Sequence, residues 1–310
     1  MSTDDRKLIE KLLLDAVDEQ RRSRRWRIFF RCLFFCWLFA LMVLLFRPDA
    51  DLKSLPRHYV ALVDVKGAIA ADGEASASNV VVGLRKAYKD TKVQGIILRI
   101  NSPGGSPVQA GYIYDEINRL RESRPDLKVY AVITDMGASA AYYIAAAADE
   151  IYASPSSIVG SIGAFMAGFG VEEAMKKLGV TRRFYGSGKH KALTDPFQPE
   201  DQLAAQHLRS LVASVHEQFI ASVKAGRGER LKDHPDLFTG LVWTGNQAMD
   251  LGLIDGLGSP GFVAREQIGV EDVVDFTVKR GFVERFARQL GAGMSNSLTE
   301  TLGLGAGVIR

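Results

Sequence analysis

The chain has 310 residues, of which 47% are hydrophobic, with 39 lysines and arginines against 36 acidic residues. This length and apolar content allow a large buried core, so the composition favours a folded chain over a disordered one. The excess of positive charge lies within residues 1–31, whereas residues 32–310 are balanced, which argues against a nucleic-acid-binding surface on the main domain.

Residues 1–27 are predicted to be a charged cytoplasmic segment, and an apolar run follows from Ile28 to Phe46. As a helix this run would span about 28 Å, close to the hydrocarbon thickness of a bilayer, which is roughly 30 Å. Five arginines between Arg21 and Arg27 keep the N-terminus cytoplasmic by the positive-inside rule. We therefore predict a single-pass transmembrane anchor, with the rest of the chain on the other side. A cleaved signal peptide is the alternative, and the long apolar run without an A-x-A-like site disfavours it.

Both cysteines, Cys32 and Cys36, lie inside the apolar run. The domain that follows therefore has no disulfide and no cysteine ligand for a metal. Residues 47–57, which include Pro48 and Pro56, are predicted to be a linker.

Residues 58–290 are predicted to form one α/β domain, because strand-like and helix-like runs alternate along them. The runs "GIILRI" and "VYAVIT" are apolar at every second position on both faces, which predicts parallel strands covered by helices on both sides. Short strands are expected within residues 150–165, a long amphipathic helix over 199–224, a strand over 270–278 and a helix over 281–290. Residues 291–310 are rich in Gly and Ser and are predicted to be a poorly ordered or partner-docked tail.

Two loops follow neighbouring predicted strands, where parallel α/β sheets place their ligands. The first loop, "NSPGGSP", contains Gly104 and Gly105, which permit positive φ and a close approach of the backbone to an oxyanion. A plain turn into the next helix is the alternative. The second loop places Ser139 among small residues in "MGASAAYYIA", where it is either a packing residue or an exposed nucleophile.

A serine nucleophile needs a base, and four of the five histidines are predicted to be surface residues by their surroundings. These four are His58, His207, His216 and His234. The fifth, His190, lies between Lys189 and Lys191 in the Gly-punctuated stretch "YGSGKHKALTDPF". A lysine can act as the base if folding buries its amine beside the serine, since lowering a lysine pKa by about three units costs roughly 4 kcal/mol. A solvated loop is the alternative.

The segments "NSPGGS", "DMGASAAYYIAAAADEIYA", "VGSIGAF", "YGSGKHKALTDPF" and "VWTGNQAMDLGLID" together resemble the short form of the signal peptide peptidase A family. The resemblance covers roughly residues 58–258. It implies a ClpP/crotonase-like α/β fold and a membrane-anchored serine peptidase that needs no metal or cofactor. Ser139 would be the nucleophile, Lys191 the base, and Ser161 would hold the lysine amine by a hydrogen bond.

The resemblance also implies an oxyanion hole built from the N–H of a glycine, Gly105 first and Gly104 second, and from the N–H of Ala140. The expected substrates are remnant signal peptides and other membrane-associated apolar peptides. Family members often have two glycines after the serine where this chain has Ala140 and Ala141, and the added methyl groups would narrow the substrate groove.

The resemblance further implies a homo-oligomeric ring whose neighbouring subunits share each site, with the catalytic domain on the periplasmic side of a bacterial inner membrane. Two alternatives remain open. One is a crotonase-like enzyme acting on acyl thioesters, for which access to coenzyme A on that side is implausible. The other is a non-catalytic membrane-anchored scaffold.

Overall fold

The structure, a computed structural model, describes residues 3–45 and 56–278, with side chains from residue 19 to 42 in the first range. The chain divides into two compact units between Leu55 and Pro56. The first unit contains one helix, α1 (Thr3–Leu45). Among the side chains described, no helix has a stretch long and apolar enough to cross a membrane.

The predicted anchor from Ile28 to Phe46 runs past Met42, the last described side chain of α1, and it stays a prediction. Residues 47–55 of the predicted linker, the predicted helix over 281–290 and the tail over 291–310 lie outside the described residues.

The second unit is an α/β domain in which strands and helices alternate, as the sequence predicts. Its strands are β1 (Tyr59–Lys66), β2 (Val93–Ser102), β3 (Val129–Ala138), β4 (Glu150–Ala153), β5 (Ile158–Gly160), β6 (Val242–Thr244), β7 (Gly256–Leu257) and β8 (Val273–Asp275). Its helices are α2 (Ala77–Lys89), α3 (Pro107–Ser123), α4 (Ala140–Ala145), α5 (Glu172–Lys177), α6 (Gln202–Arg227), α7 (Gly245–Asp250) and α8 (Pro260–Phe262). A 3₁₀ turn, Gly228–Arg230, follows α6, and a π-helical turn, Val263–Ile268, continues α8.

The strands form one sheet in the order β6-β5-β3-β2-β1-β8, with β4 paired to β3 and β7 paired to β4. All described pairs are parallel except β5 with β6. The predicted parallel sheet with flanking helices is thus confirmed.

Strand β3 changes partner along its length. Its first half pairs with β4, from Tyr130 to Ile133, and its last three residues pair with β5, from Met136 to Ala138. The carboxyl end of β3 therefore leaves the sheet beside β5, at the place where Ser139 follows.

The core covers both faces of the central strands, as the apolar runs predict. On one face, inward residues of β1 to β3 pack against α2, α3 and α4, and Leu84, Ile113 and Ile144 are fully buried there. On the other face, a smaller cluster joins Ile97 and Tyr130 to the π-helical turn. Burial on both faces fixes the strand ends, and so it fixes the loops that they carry.

Candidate active site

Ser139 occupies the single position between the end of β3 and the start of α4. Its backbone has φ 54° and ψ −126°, a conformation that costs a non-glycine residue on the order of 1–3 kcal/mol. The flanking alanines, Ala138, Ala140 and Ala141, are buried against the core. The small residues therefore do pack, and their packing holds Ser139 in a sharp strand-to-helix turn.

The glycine loop after β2 lies directly against this turn. A Cβ atom on Gly104 would lie 2.8 Å from the Cβ of Ser139 and 3.0 Å from the nitrogen of Ala140, so only a glycine fits there. Gly104 and Gly105 both have positive φ, 101° and 147°. The loop is anchored on its other side by Ile69, whose N–H donates to Gly104 (2.9 Å) and whose carbonyl accepts from Ser106 (2.8 Å).

Two backbone N–H groups at this junction have no hydrogen-bond acceptor among the described residues, those of Gly105 and Ala140. The N–H of Gly104 is already used, because it donates to Ser102 Oγ at 3.1 Å. Ala140 is the first residue of α4, a position whose N–H has no partner within the helix. Of the two predicted glycines, Gly105 is therefore the one whose N–H is available for an oxyanion.

Ser161 lies beside Ser139. The N–H of Ser139 donates to the carbonyl of Gly160 (2.8 Å), the residue before Ser161, and the N–H of Ser161 donates to Leu241 (2.7 Å). Ser161 also has a positive φ, 51°. The backbone thus brings two of the three predicted catalytic residues close together.

Lys191, the third, lies in a turn after Gly188 and is exposed in the single chain. It does not line the cavity that contains Ser139. His190 is also exposed, and it lines a different cavity.

Ser139 opens into a cavity of about 480 Å³ between α3 and α6. Its lining is mostly apolar and aromatic, which suits apolar peptide side chains. The lining side chains from the two helices include Val108, Tyr112, Leu211, Val215 and Phe219.

The two tyrosines of α4 pack against neighbouring elements. Tyr142 is fully buried, its hydroxyl donates to Leu253 (2.7 Å), and burial raises its pKa, so it stays neutral. Tyr143 stacks on Phe219 with ring centroids 5.0 Å apart, and this contact joins α4 to α6 at the cavity wall.

His216 differs from its prediction as a surface residue. It is half-buried, and a ring N–H donates to the carbonyl of Ile162 at 3.1 Å, one residue after Ser161. The sequence does contain a signal for this partial burial, because His216 continues the apolar spacing of α6 and directly follows Val215, which lines the cavity. Among the described residues, no three His, Cys, Asp or Glu side chains could together hold a metal ion.

Comparison with known proteins shows the family of the chain. Residues 121–284, more than half of the chain, match peptidase family S49, and residues 66–159 match the Clp protease family. The two matches and the parallel sheet define a peptidase of the ClpP-like α/β class.

Relatives agree with this class. A putative signal peptide peptidase SppA of Enterococcus faecium is 30% identical over 207 residues, which are 64% of this chain and 60% of that protein. A putative protease of Synechocystis is 32% identical over 210 residues, covering 67% of this chain and 72% of the relative. The chain belongs to peptidase family S49, in its signal peptide peptidase A group.

Another relative, from Brucella melitensis, is named Na(+)/H(+) antiporter NhaA and is 43% identical over 222 residues. The match covers 68% of this chain but only 30% of that protein, so the chain spans less than a third of its length.

Proposed function

We propose that this chain is a serine endopeptidase that cleaves apolar peptides, including signal peptides released from exported proteins. One observation carries the proposal: Ser139 stands in a strained turn, in an apolar cavity, beside two N–H groups with no other acceptor among the described residues. Strained backbone at a non-glycine residue is typical of functional sites.

The proposed reaction begins when Ser139 Oγ attacks the scissile carbonyl carbon and its proton passes to the Nζ of Lys191. The oxygen of the tetrahedral intermediate accepts hydrogen bonds from the N–H groups of Gly105 and Ala140. When the C–N bond breaks, Lys191 returns the proton to the leaving amine and an acyl group remains on Ser139. Water then hydrolyses this ester by the same proton path.

The lysine in each site is proposed to come from a neighbouring subunit of a homo-oligomeric ring. The exposed position of Lys191 in the single chain supports this arrangement. Three large, highly exposed side chains support it as well. Phe165, Phe169 and Tyr185 are 90%, 88% and 89% exposed in the single chain. Exposed apolar residues of this size mark contact surfaces.

The membrane anchor is part of the same proposal. The apolar run after five arginines would place the N-terminus in the cytoplasm and the peptidase domain on the periplasmic side of a bacterial inner membrane. Peptides left in the membrane would then reach the cavity without entering the cytoplasm.

A covalent probe tests whether the chain is an enzyme. We expect a fluorophosphonate to label the detergent-solubilised full chain and not a Ser139→Ala variant, with peptide hydrolysis lost in parallel. Equal labelling of the two proteins would contradict Ser139 as the nucleophile, and no labelling or hydrolysis by either would favour a scaffold.

A further inference from the structure

Lys191 belongs to a segment that packs on itself more than on the core. Residues 163–200, called the arm here, contain no fully buried residue. Apart from the short helix α5, the arm consists of turns and extended chain. A catalytic amine on such a segment needs a local device to fix its position.

An ion pair closes the loop that carries Lys191. Arg182 and Asp195, thirteen positions apart, are joined by a hydrogen-bonded salt bridge. The side chain of Asp195 is only 8% exposed, unlike those of the other arm pair, Glu173 and Lys176, which are 70% and 65% exposed. The arm therefore encloses the carboxylate of this pair, while the Arg182 side chain is 36% exposed.

Two aromatic rings lie against the arginine. The guanidinium carbon of Arg182 lies 4.7 Å from the ring centre of Phe197 and 5.7 Å from that of Phe184. The planar guanidinium can stack on rings and pair with a carboxylate at the same time, which a lysine ammonium cannot do equally well.

The charge on Asp195 persists at neutral pH. Burial by itself would raise the pKa of this carboxyl group. Hydrogen bonds from Arg182 and from the N–H of Phe197 (3.1 Å) outweigh burial and hold the pKa below its usual range.

Short turns connect this ion pair to the lysine. The N–H of Asp195 donates to Ala192 (3.1 Å), and the N–H of Lys191 donates to Gly188 (3.1 Å). On the far side, the N–H of Val171 donates to Pro196 (2.7 Å), which ties the end of the loop to the start of α5. A movement of Asp195 is thus transmitted to Lys191 through few rotatable bonds.

We propose that Arg182 and Asp195 are positioning residues that hold the Lys191 loop in the orientation in which its amine reaches Ser139 of a neighbouring subunit. The inference rests on the proposed role of Lys191 as the base. Misplacing a catalytic group by about 1 Å can cost about 100-fold in rate. Opening the ion pair should therefore reduce turnover more than it changes KM, because α3 and α6 of the substrate cavity lie outside the arm, although residues 163–166 of the arm also line it.

The experiment compares four variants of the full chain in detergent: Arg182→Ala, Asp195→Asn, Arg182→Lys and the control Lys176→Ala, which breaks the exposed pair of the same arm. We expect Arg182→Ala and Asp195→Asn to lower kcat about 10- to 100-fold with KM within about twofold. Arg182→Lys should recover part of the loss, and Lys176→Ala should match wild type.

The pH profile separates positioning from a structural role. A loosely held amine is more hydrated and keeps its proton to higher pH, so the acidic limb of kcat should move to higher pH in Arg182→Ala. Native mass spectrometry reports whether each variant assembles, and thermal unfolding reports whether it folds. If Arg182→Ala fails to assemble, Asp195→Asn still tests the inference, because asparagine keeps the shape of the side chain.

Three outcomes contradict the inference. In the first, Arg182→Ala and Asp195→Asn have the same activity and pH profile as Lys176→Ala. In the second, kcat falls but the acidic limb does not move. Either result would overturn the positioning role and leave the peptidase proposal intact. Full activity of Lys191→Ala, run alongside, would instead remove the base assignment, and the positioning role would go with it.

Discussion

Ser139 and Ser161 follow two residues that pair directly across parallel strands, Ala138 on β3 and Gly160 on β5. Within the described part of the chain they are the only non-glycine residues with positive φ. The hydrogen bond from Ser139 N–H to Gly160 fixes one turn against the other. Two costly conformations side by side indicate a site that the fold maintains for its chemistry.

Ser161→Gly tests the second serine without straining the backbone, because glycine adopts a φ of 51° readily. Loss of the hydroxyl should lower kcat about 10- to 100-fold, since the lysine amine loses its partner. The free energy of unfolding should stay within about 1 kcal/mol of wild type, so the melting temperature should change little. An unchanged kcat would show that Ser161 is only a turn residue.

Single substitutions test the nucleophile and the base. We expect Ser139→Ala and Lys191→Ala to lose about 1,000-fold or more in kcat/KM, the scale of nucleophile and base removal in serine peptidases. His190→Ala, next to the lysine, should stay within about threefold of wild type. Loss in His190→Ala with retention in Lys191→Ala would identify the histidine as the base instead.

Co-expression tests whether sites are shared between subunits. Ser139→Ala and Lys191→Ala chains, each inactive alone, should form mixed assemblies in which some sites combine an intact serine with an intact lysine. Peptide hydrolysis should then return to a measurable fraction of wild-type activity. Inactivity of mixtures that native mass spectrometry shows to be mixed would place both residues in one chain.

Gly104→Ala tests the contact between the two loops. The added Cβ would lie 2.8 Å from the carbonyl oxygen of Ala138, at a φ of 101° that alanine rarely adopts. We expect a loss of about 1–3 kcal/mol in stability and about 100-fold or more in kcat/KM, because the oxyanion donors shift. Gly111→Ala is the control for stability: its Cβ would meet no atom within 4 Å, and in helix α3 it should add up to about 1 kcal/mol. Equal stability of the two variants would refute the contact.

We expect the stability of the fold in acid to depend on Asp255. Its carboxylate accepts two hydrogen bonds, of 2.8 and 2.9 Å, from Arg227, whose side chain is only 1% exposed. Burial alone would raise the pKa of Asp255, but Arg227 and the N–H of Ile151 hold it below its usual range. Because the folded-state pKa is lowered, the stabilisation is complete well above the unfolded value of about 3.9 and is lost as the pH falls through the folded value.

Asp255→Asn should therefore cost about 3–5 kcal/mol at pH 7, since it leaves a buried arginine charge unpaired. Denaturant unfolding of wild type and variant between pH 3 and 7 measures the difference, which should shrink below about pH 4. A difference that does not change with pH would refute the role of the carboxylate charge.

The sequence predicts the parallel sheet and the meeting of the two loops, because doubly buried strands and the strand-end rule are local patterns. It does not predict the positive φ of Ser161 or the contact of His216 with Ile162, which arise from the pairing of β5 and from the packing of α6. The relation of Lys191 to Ser139 is also not predicted by the sequence, since the arm that carries the lysine contains no fully buried residue.

Because β3 changes its pairing partner, its two halves have different structural roles. From Tyr130 to Ile133 its side chains are buried in the core, whereas from Met136 to Ala138 its backbone leads into the turn at Ser139. Ile133 connects the two stretches, because its side chain lies against Gly137. Random mutagenesis should therefore tolerate volume-conserving exchanges before Ile133 far better than exchanges from Met136 to Ala138.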